Sequence, residues 1–158
     1  WRNINTKKQS KINLKALTAI TVYIAIVGIV YQIALRHTWD PQGLQKIVDE
    51  LLHSVIPLLV LLYWILQQGH KELKYKDSFL WLLFPLLFLI YTVIRGHYTS
   101  FYPYPFLDVN VIGFNKVILN SLILTIVFLV FSIALIWINR IMHKKKTCRQ
   151  QTNWQESG

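Results

Sequence analysis

Apolar residues fall into four runs along the chain, at positions 16–35, 47–66, 79–94 and 117–138, with polar stretches between them. A helix needs about 20 mostly apolar residues to cross a bilayer, because the hydrocarbon core is roughly 30 Å thick and each residue adds about 1.5 Å. The fourth run contains no charged residue. The third gives only about 24 Å of rise, so Arg95 and the aromatics beyond it are expected to complete that crossing at the interface. The pattern predicts an all-α fold, a polytopic transmembrane helical bundle with four spans. Thr18, Thr21, Tyr23, Tyr31 and Gln32 interrupt the first run, which turns one face of it toward protein rather than lipid. Asn120, Ser121 and Ser132 mark the corresponding contact positions on the fourth.

The connections carry their own signals. Asp40-Pro41 predicts a helix start, with the aspartate as cap and the proline in the first turn. Gly69 is expected to end the second span before a short connection, and Asp77 or Ser78 to cap the third. Gly96 offers a turn, and positions 98–104 read as an aromatic, proline-broken interfacial loop.

The chain is 54% hydrophobic and 15% charged, with a mean hydropathy of +0.38, which also places it in the membrane class. The formal charge of +10 changes the picture only through its distribution. Arg2, Lys7, Lys8, Lys11 and Lys15 precede the first run, Lys71, Lys74 and Lys76 separate the second from the third, and Arg140, Lys144, Lys145, Lys146 and Arg149 follow the fourth. The two remaining connections hold Arg36, Lys46, Arg95 and Lys116, a ratio of 13 to 4 that alternates with each crossing. The positive-inside rule then puts both ends of the chain in the cytoplasm of a cell membrane, and argues against a nucleic-acid partner. Three zones follow: a basic approach at 1–15, a transmembrane domain at 16–138 and a basic polar tail at 139–158, frayed beyond Arg149. Cys148 is the single cysteine, so no intrachain disulfide forms. The chain opens on Trp1 without a cleavable leader, and is expected to be part of a longer sequence.

Candidate chemistry centres on His53, because an ionisable group inside a span is a functional hypothesis by default. Asp49, His53 and Pro57 share one helical face, with Glu50 and Ser54 beside them. Pro57 has no N–H, so the His53 carbonyl loses its helical partner and adds a polar group to an apolar wall. The second group is Arg95-Gly96 with Tyr102, Tyr104, Phe106, Asp108 and Asn110 on the same outer side, read either as an aromatic belt with an anchoring arginine or as a lid or pocket wall. His37, His53 and His97 lack the spacing of metal ligands, and no metal or other cofactor is expected.

Together, His53-Ser54-Val55-Ile56-Pro57 with Trp64, Trp81-Leu82-Leu83-Phe84-Pro85 with Tyr91, and Arg95-Gly96 with Tyr104-Pro105-Phe106-Leu107-Asp108 ahead of Gly113 carry a resemblance. They resemble the androgen-induced and androgen-dependent TFPI-regulating membrane protein family, most nearly its bacterial six-span relatives, over about residues 16–140. The resemblance implies a six-helix bundle of which this chain supplies the last four spans. It implies a lipid-ester hydrolase with an intramembrane threonine nucleophile, carried on an earlier helix, and a histidine base matched by His53. In that reading Asp49 orients the ring, and Arg95, Tyr102 or Tyr104 stabilises the oxyanion. Pro57, Trp64, Phe106, Asp108 and Asn110 line the substrate pocket, and the partners are membrane lipid and a lipid-like substrate. The alternative class is a non-catalytic transporter or binding protein whose polar residues line a solute path.

Overall fold

A computed structural model describes residues 13–38, 40–67 and 73–156. Among them, four helices are long and apolar enough to cross a membrane: Leu14–Leu35, Leu44–Leu66, Asp77–Thr99 and Phe114–Lys145. The protein is an all-α bundle of the integral membrane class. The basic segment ahead of Asn13 and the expected stop at Gly69 lie outside the described residues.

The first span is the hub. It has 44% of its apolar window buried, against 11% for the second and 22% for each of the other two. Val22, Ile26, Trp64, Trp81, Phe128 and Ile136 form the middle of the core, drawn from all four spans. Outward faces carry Ile33, Leu58, Phe79, Leu80 and Val130, the side chains a hydrocarbon solvent accepts. Hydroxyls on the first span turn to their own backbone or to neighbours. Thr18 donates to the Leu14 carbonyl at 2.7 Å and accepts the Trp64 indole N–H at 2.8 Å. No buried side-chain nitrogen or oxygen among the described residues lacks a hydrogen-bond partner, as a water-free interior demands.

Prolines shape the second and third spans. Pro85 removes the donor that would reach the Trp81 carbonyl four residues back. The third span breaks there, into Asp77–Trp81 and Leu83–Thr99, and the Tyr23 hydroxyl of the first span donates to the Trp81 carbonyl at 2.8 Å. Pro57 does the same to the His53 carbonyl, and the first span meets that carbonyl with Gly28. A Cβ at Gly28 would lie 2.9 Å from Pro57 Cγ and 3.1 Å from the His53 oxygen, so the glycine permits this approach.

Several local expectations are corrected. The second span starts at Leu44, capped by Gly43 at φ 60°, and not at Asp40-Pro41; the positive φ reverses the chain closer to the helix. Asp77 does not cap its helix. It sits in the first turn, where one oxygen accepts from Lys15 Nζ at 2.8 Å and the other from the Lys74 N–H at 3.1 Å. Gly96 is no turn; the helix continues to Thr99 and reverses at Ser100, which has φ 54°. Gly96 instead lies under the Tyr102 ring, which leaves no room for a Cβ. The last helix is continuous over Phe114–Glu156, about 65 Å, so the tail after Arg149 extends the helix rather than fraying at once.

The ends of the spans sort into two groups. Lys15 at the start of the first span pairs with Asp77 at the start of the third. Asn139, late in the fourth, accepts from the Leu73 N–H at 2.9 Å. The opposite end joins the close of the first span to the opening of the second, and the close of the third to the opening of the fourth. The spans therefore alternate in direction.

Candidate functional site

Two π-helical turns face each other across the first two spans, Tyr31–Leu35 and Leu51–Val55. In each, one extra residue is accommodated by a bond five residues back, from the Arg36 N–H to the Tyr31 carbonyl and from the Ile56 N–H to the Leu51 carbonyl. Such turns widen a helix locally and occur often at functional sites. Here they rotate polar side chains from both helices into one interface.

His53 stands on the second of these turns, nine residues from Leu44 and therefore about 13 Å along its span. Its Nδ1 lies 3.1 Å from the Asp49 carbonyl and 3.2 Å from Asp49 Oδ1. The hydrogen bond is to the Asp49 carbonyl, and a carbonyl oxygen can only accept, which assigns the proton to Nδ1 in the neutral ring and makes Nε2 the acceptor. The second carboxylate oxygen of Asp49 accepts from the Tyr31 hydroxyl. The Tyr31 ring also stacks on the His53 ring, with centroids 4.2 Å apart and planes 10° from parallel. Tyr31 thus touches both the ring and the carboxylate beside it. Among the described residues, Nε2 of His53 has no hydrogen-bond partner.

A closed polar ring lies next to this chain of contacts. Gln32 Nε2 donates to Ser54 Oγ at 2.8 Å, Ser54 donates to Glu50 Oε2 at 2.7 Å, and Arg36 bridges Glu50 Oε1 at 2.7 Å and Gln32 Oε1. Each side chain satisfies the next, which removes the cost of placing four polar groups beside hydrocarbon.

The second candidate group is assembled elsewhere, from the third span, the following connection and the start of the fourth span. Arg95 Cζ lies 5.9 Å from the centre of the Phe101 ring. Tyr104 packs between Phe88 and Phe106, with centroids 6.3 and 5.5 Å away. The Phe106 carbonyl accepts from Asn120 Nδ2 at 2.9 Å. Asp108 caps the one-turn helix Val109–Ile112 by accepting from the Asn110 N–H at 2.9 Å, and Asn110 is exposed. Among the described residues, no hydrogen bond, ion pair or ring contact of Arg95, Tyr102, Tyr104 or Asp108 reaches His53. Trp64 is fully buried in the core, about 16 Å along the helix from His53, and Pro57 is buried against Gly28. A shallow groove between the third and fourth spans is lined by Leu82, Pro85, Leu86, Ser121, Thr125 and Phe128, with none of the candidate residues in its wall.

Sequence reasoning found Asp49 and His53, and it read Tyr31 and Gln32 only as residues of a protein-facing side; it did not anticipate that Tyr31 meets Asp49 and His53, nor that Arg36 meets Glu50. A usable signal existed. Thr18 with Trp64, Gly28 with Pro57, Gln32 with Ser54, Arg36 with Glu50 and Tyr31 with Asp49 are all centred between positions 40 and 43. That is the register of two antiparallel helices joined by one short connection.

Comparison with protein-family models, with curated proteins and with solved structures finds no match to this chain.

Proposed function

We propose that this chain is the histidine-bearing part of an intramembrane lipid-ester hydrolase, with His53 as general base. The observation that supports the reading is the relay Tyr31–Asp49–His53, which holds one ring nitrogen and leaves the other to accept a proton. An imidazole whose tautomer is fixed by an acceptor at one nitrogen, here the Asp49 carbonyl with the Asp49 carboxylate beside it, is the recurring arrangement of nucleophile–base chemistry.

In this mechanism Nε2 takes the proton of a hydroxyl nucleophile as its oxygen attacks the ester carbonyl. The proton then passes to the departing alkoxide, and a water activated by the same nitrogen hydrolyses the acyl intermediate. Ser54 is not the nucleophile in this reading, since its hydroxyl is engaged by Glu50 and Gln32. The resemblance supplies a threonine from a further span. Tyr104, Phe106 and Arg95 stand at the same end of the bundle as His53 but around the third and fourth spans, and this mechanism does not use them.

The test uses the full-length protein in lipid nanodiscs with an electrophilic serine/threonine-hydrolase probe. Covalent labelling is expected, with a fall of about 10²–10⁴-fold in its rate for His53→Ala and a smaller fall for Tyr31→Phe. Undiminished labelling of His53→Ala removes the base role. No labelling, together with His53-dependent solute flux in liposomes, replaces the hydrolase by the transporter reading.

A further inference from the structure

The end of the bundle opposite His53 gathers cations from separate parts of the chain. Asn139 holds the Leu73 backbone, and the Arg140 guanidinium lies over the Tyr75 ring at 5.1 Å. These two contacts bring Lys74 and Lys76 to the level at which the fourth helix leaves its apolar stretch. Lys15 reaches the same level through Asp77. The fourth helix continues unbroken, so Lys144 and Lys145 stand about 9–10 Å beyond Ile138, at the depth of the headgroup layer.

Among the described residues, the charge at this end is mostly positive. Lys74, Lys76, Lys144 and Lys145 are exposed, and among the described residues none of them has a carboxylate partner. Among the described residues of this connection Asp77 is the acid that stands with them, and its two oxygens are taken by Lys15 and the Lys74 N–H. Flexible ammonium groups held at headgroup depth attract phosphate, and the lipid phosphates of the surrounding bilayer are the anions at that depth.

We propose that the end of the bundle carrying Lys15, Lys74, Lys76, Arg140, Lys144 and Lys145 is a binding surface for anionic phospholipid headgroups. The proposal does not depend on the hydrolase reading, since it uses none of the residues around His53.

The experiment measures lipid enrichment around the full-length protein, extracted from vesicles of mixed phosphatidylcholine and phosphatidylglycerol into polymer-bounded discs and quantified by mass spectrometry. Phosphatidylglycerol is expected to be enriched over the starting mixture, and raising the salt to about 1 M, where screening acts over only about 3 Å, is expected to abolish the enrichment. Lys144→Gln with Lys145→Gln is expected to lower it several-fold, whereas Lys46→Gln with Lys116→Gln, at the other end, leaves it unchanged. Enrichment that is absent in the wild type, survives high salt, or falls equally in both double variants overturns the proposal. The salt series on the wild type decides the matter if a variant fails to fold.

Discussion

At the scale of single residues, the contacts of Gly28 and Asn139 matter as much as those of the chemically conspicuous side chains. Gly28 allows the first span to touch Pro57 and the His53 carbonyl, which sets the distance between the two π turns. Gly28→Ala places a methyl 2.9 Å from a rigid proline ring, so the helices must part. A loss of about 1–3 kcal/mol is expected, read as a lower midpoint of thermal unfolding in detergent, together with weaker hydrolase labelling. Asn139 is fully buried and its Oδ1 serves the Leu73 N–H. Asn139→Leu leaves that N–H without its acceptor at a cost of about 1–3 kcal/mol, which the same unfolding measurement detects. Neither residue stood out in the sequence, because a glycine or an asparagine in a span gains its meaning from what packs against it.

At the scale of elements, proline and the first span act together. Pro85 frees the Trp81 carbonyl, and Tyr23 binds it from the neighbouring helix. Tyr23→Phe is therefore expected to destabilise the bundle by about 0.5–1 kcal/mol. In the Pro85→Ala background the helix supplies its own N–H, so the same substitution should cost less. A double-mutant cycle on unfolding in detergent measures this coupling, and strict additivity would refute it. The His53 carbonyl has the same origin, which the position of Pro57 allowed the sequence to anticipate. Its neighbour across the interface could not be anticipated, because a missing helical bond leaves open which element approaches it. The π turns were likewise illegible, since they arise where two packed helices must bring Tyr31, Asp49 and His53 into register.

At the scale of the whole molecule, alternating span directions place the Lys15, Asp77 and Asn139 contacts at one end and the His53 cluster at the other. From the 13-to-4 division of basic residues, the first of these ends is expected to face the cytoplasm, and this is open to test. In a Cys148→Ser background, Asp40→Cys and Ser100→Cys are expected to react with an impermeant thiol reagent from the non-cytoplasmic face, and Lys76→Cys from the cytoplasmic face. All three positions are exposed. Reaction of positions 40 and 100 from the cytoplasmic face alone would reverse the assignment.

The sequence by itself determined the class of protein, the number of apolar spans in this stretch and the residue at the centre of the candidate site. It could do so because hydrocarbon tolerates only long apolar helices, and because an imidazole among them is conspicuous. The tertiary structure decided which partners that imidazole has. Asp49 was already legible as the residue one turn back on the same helix, whereas the antiparallel packing of the first two spans gave His53 the ring of Tyr31 and gave Asp49 its hydroxyl. The fold also gave Arg95, Tyr104 and Asp108 separate partners, in Phe101, Phe88 and the Asn110 N–H. Helical spacing fixes neighbours along one helix, whereas contacts between helices depend on rotation, depth and close approach, which only the assembled bundle sets.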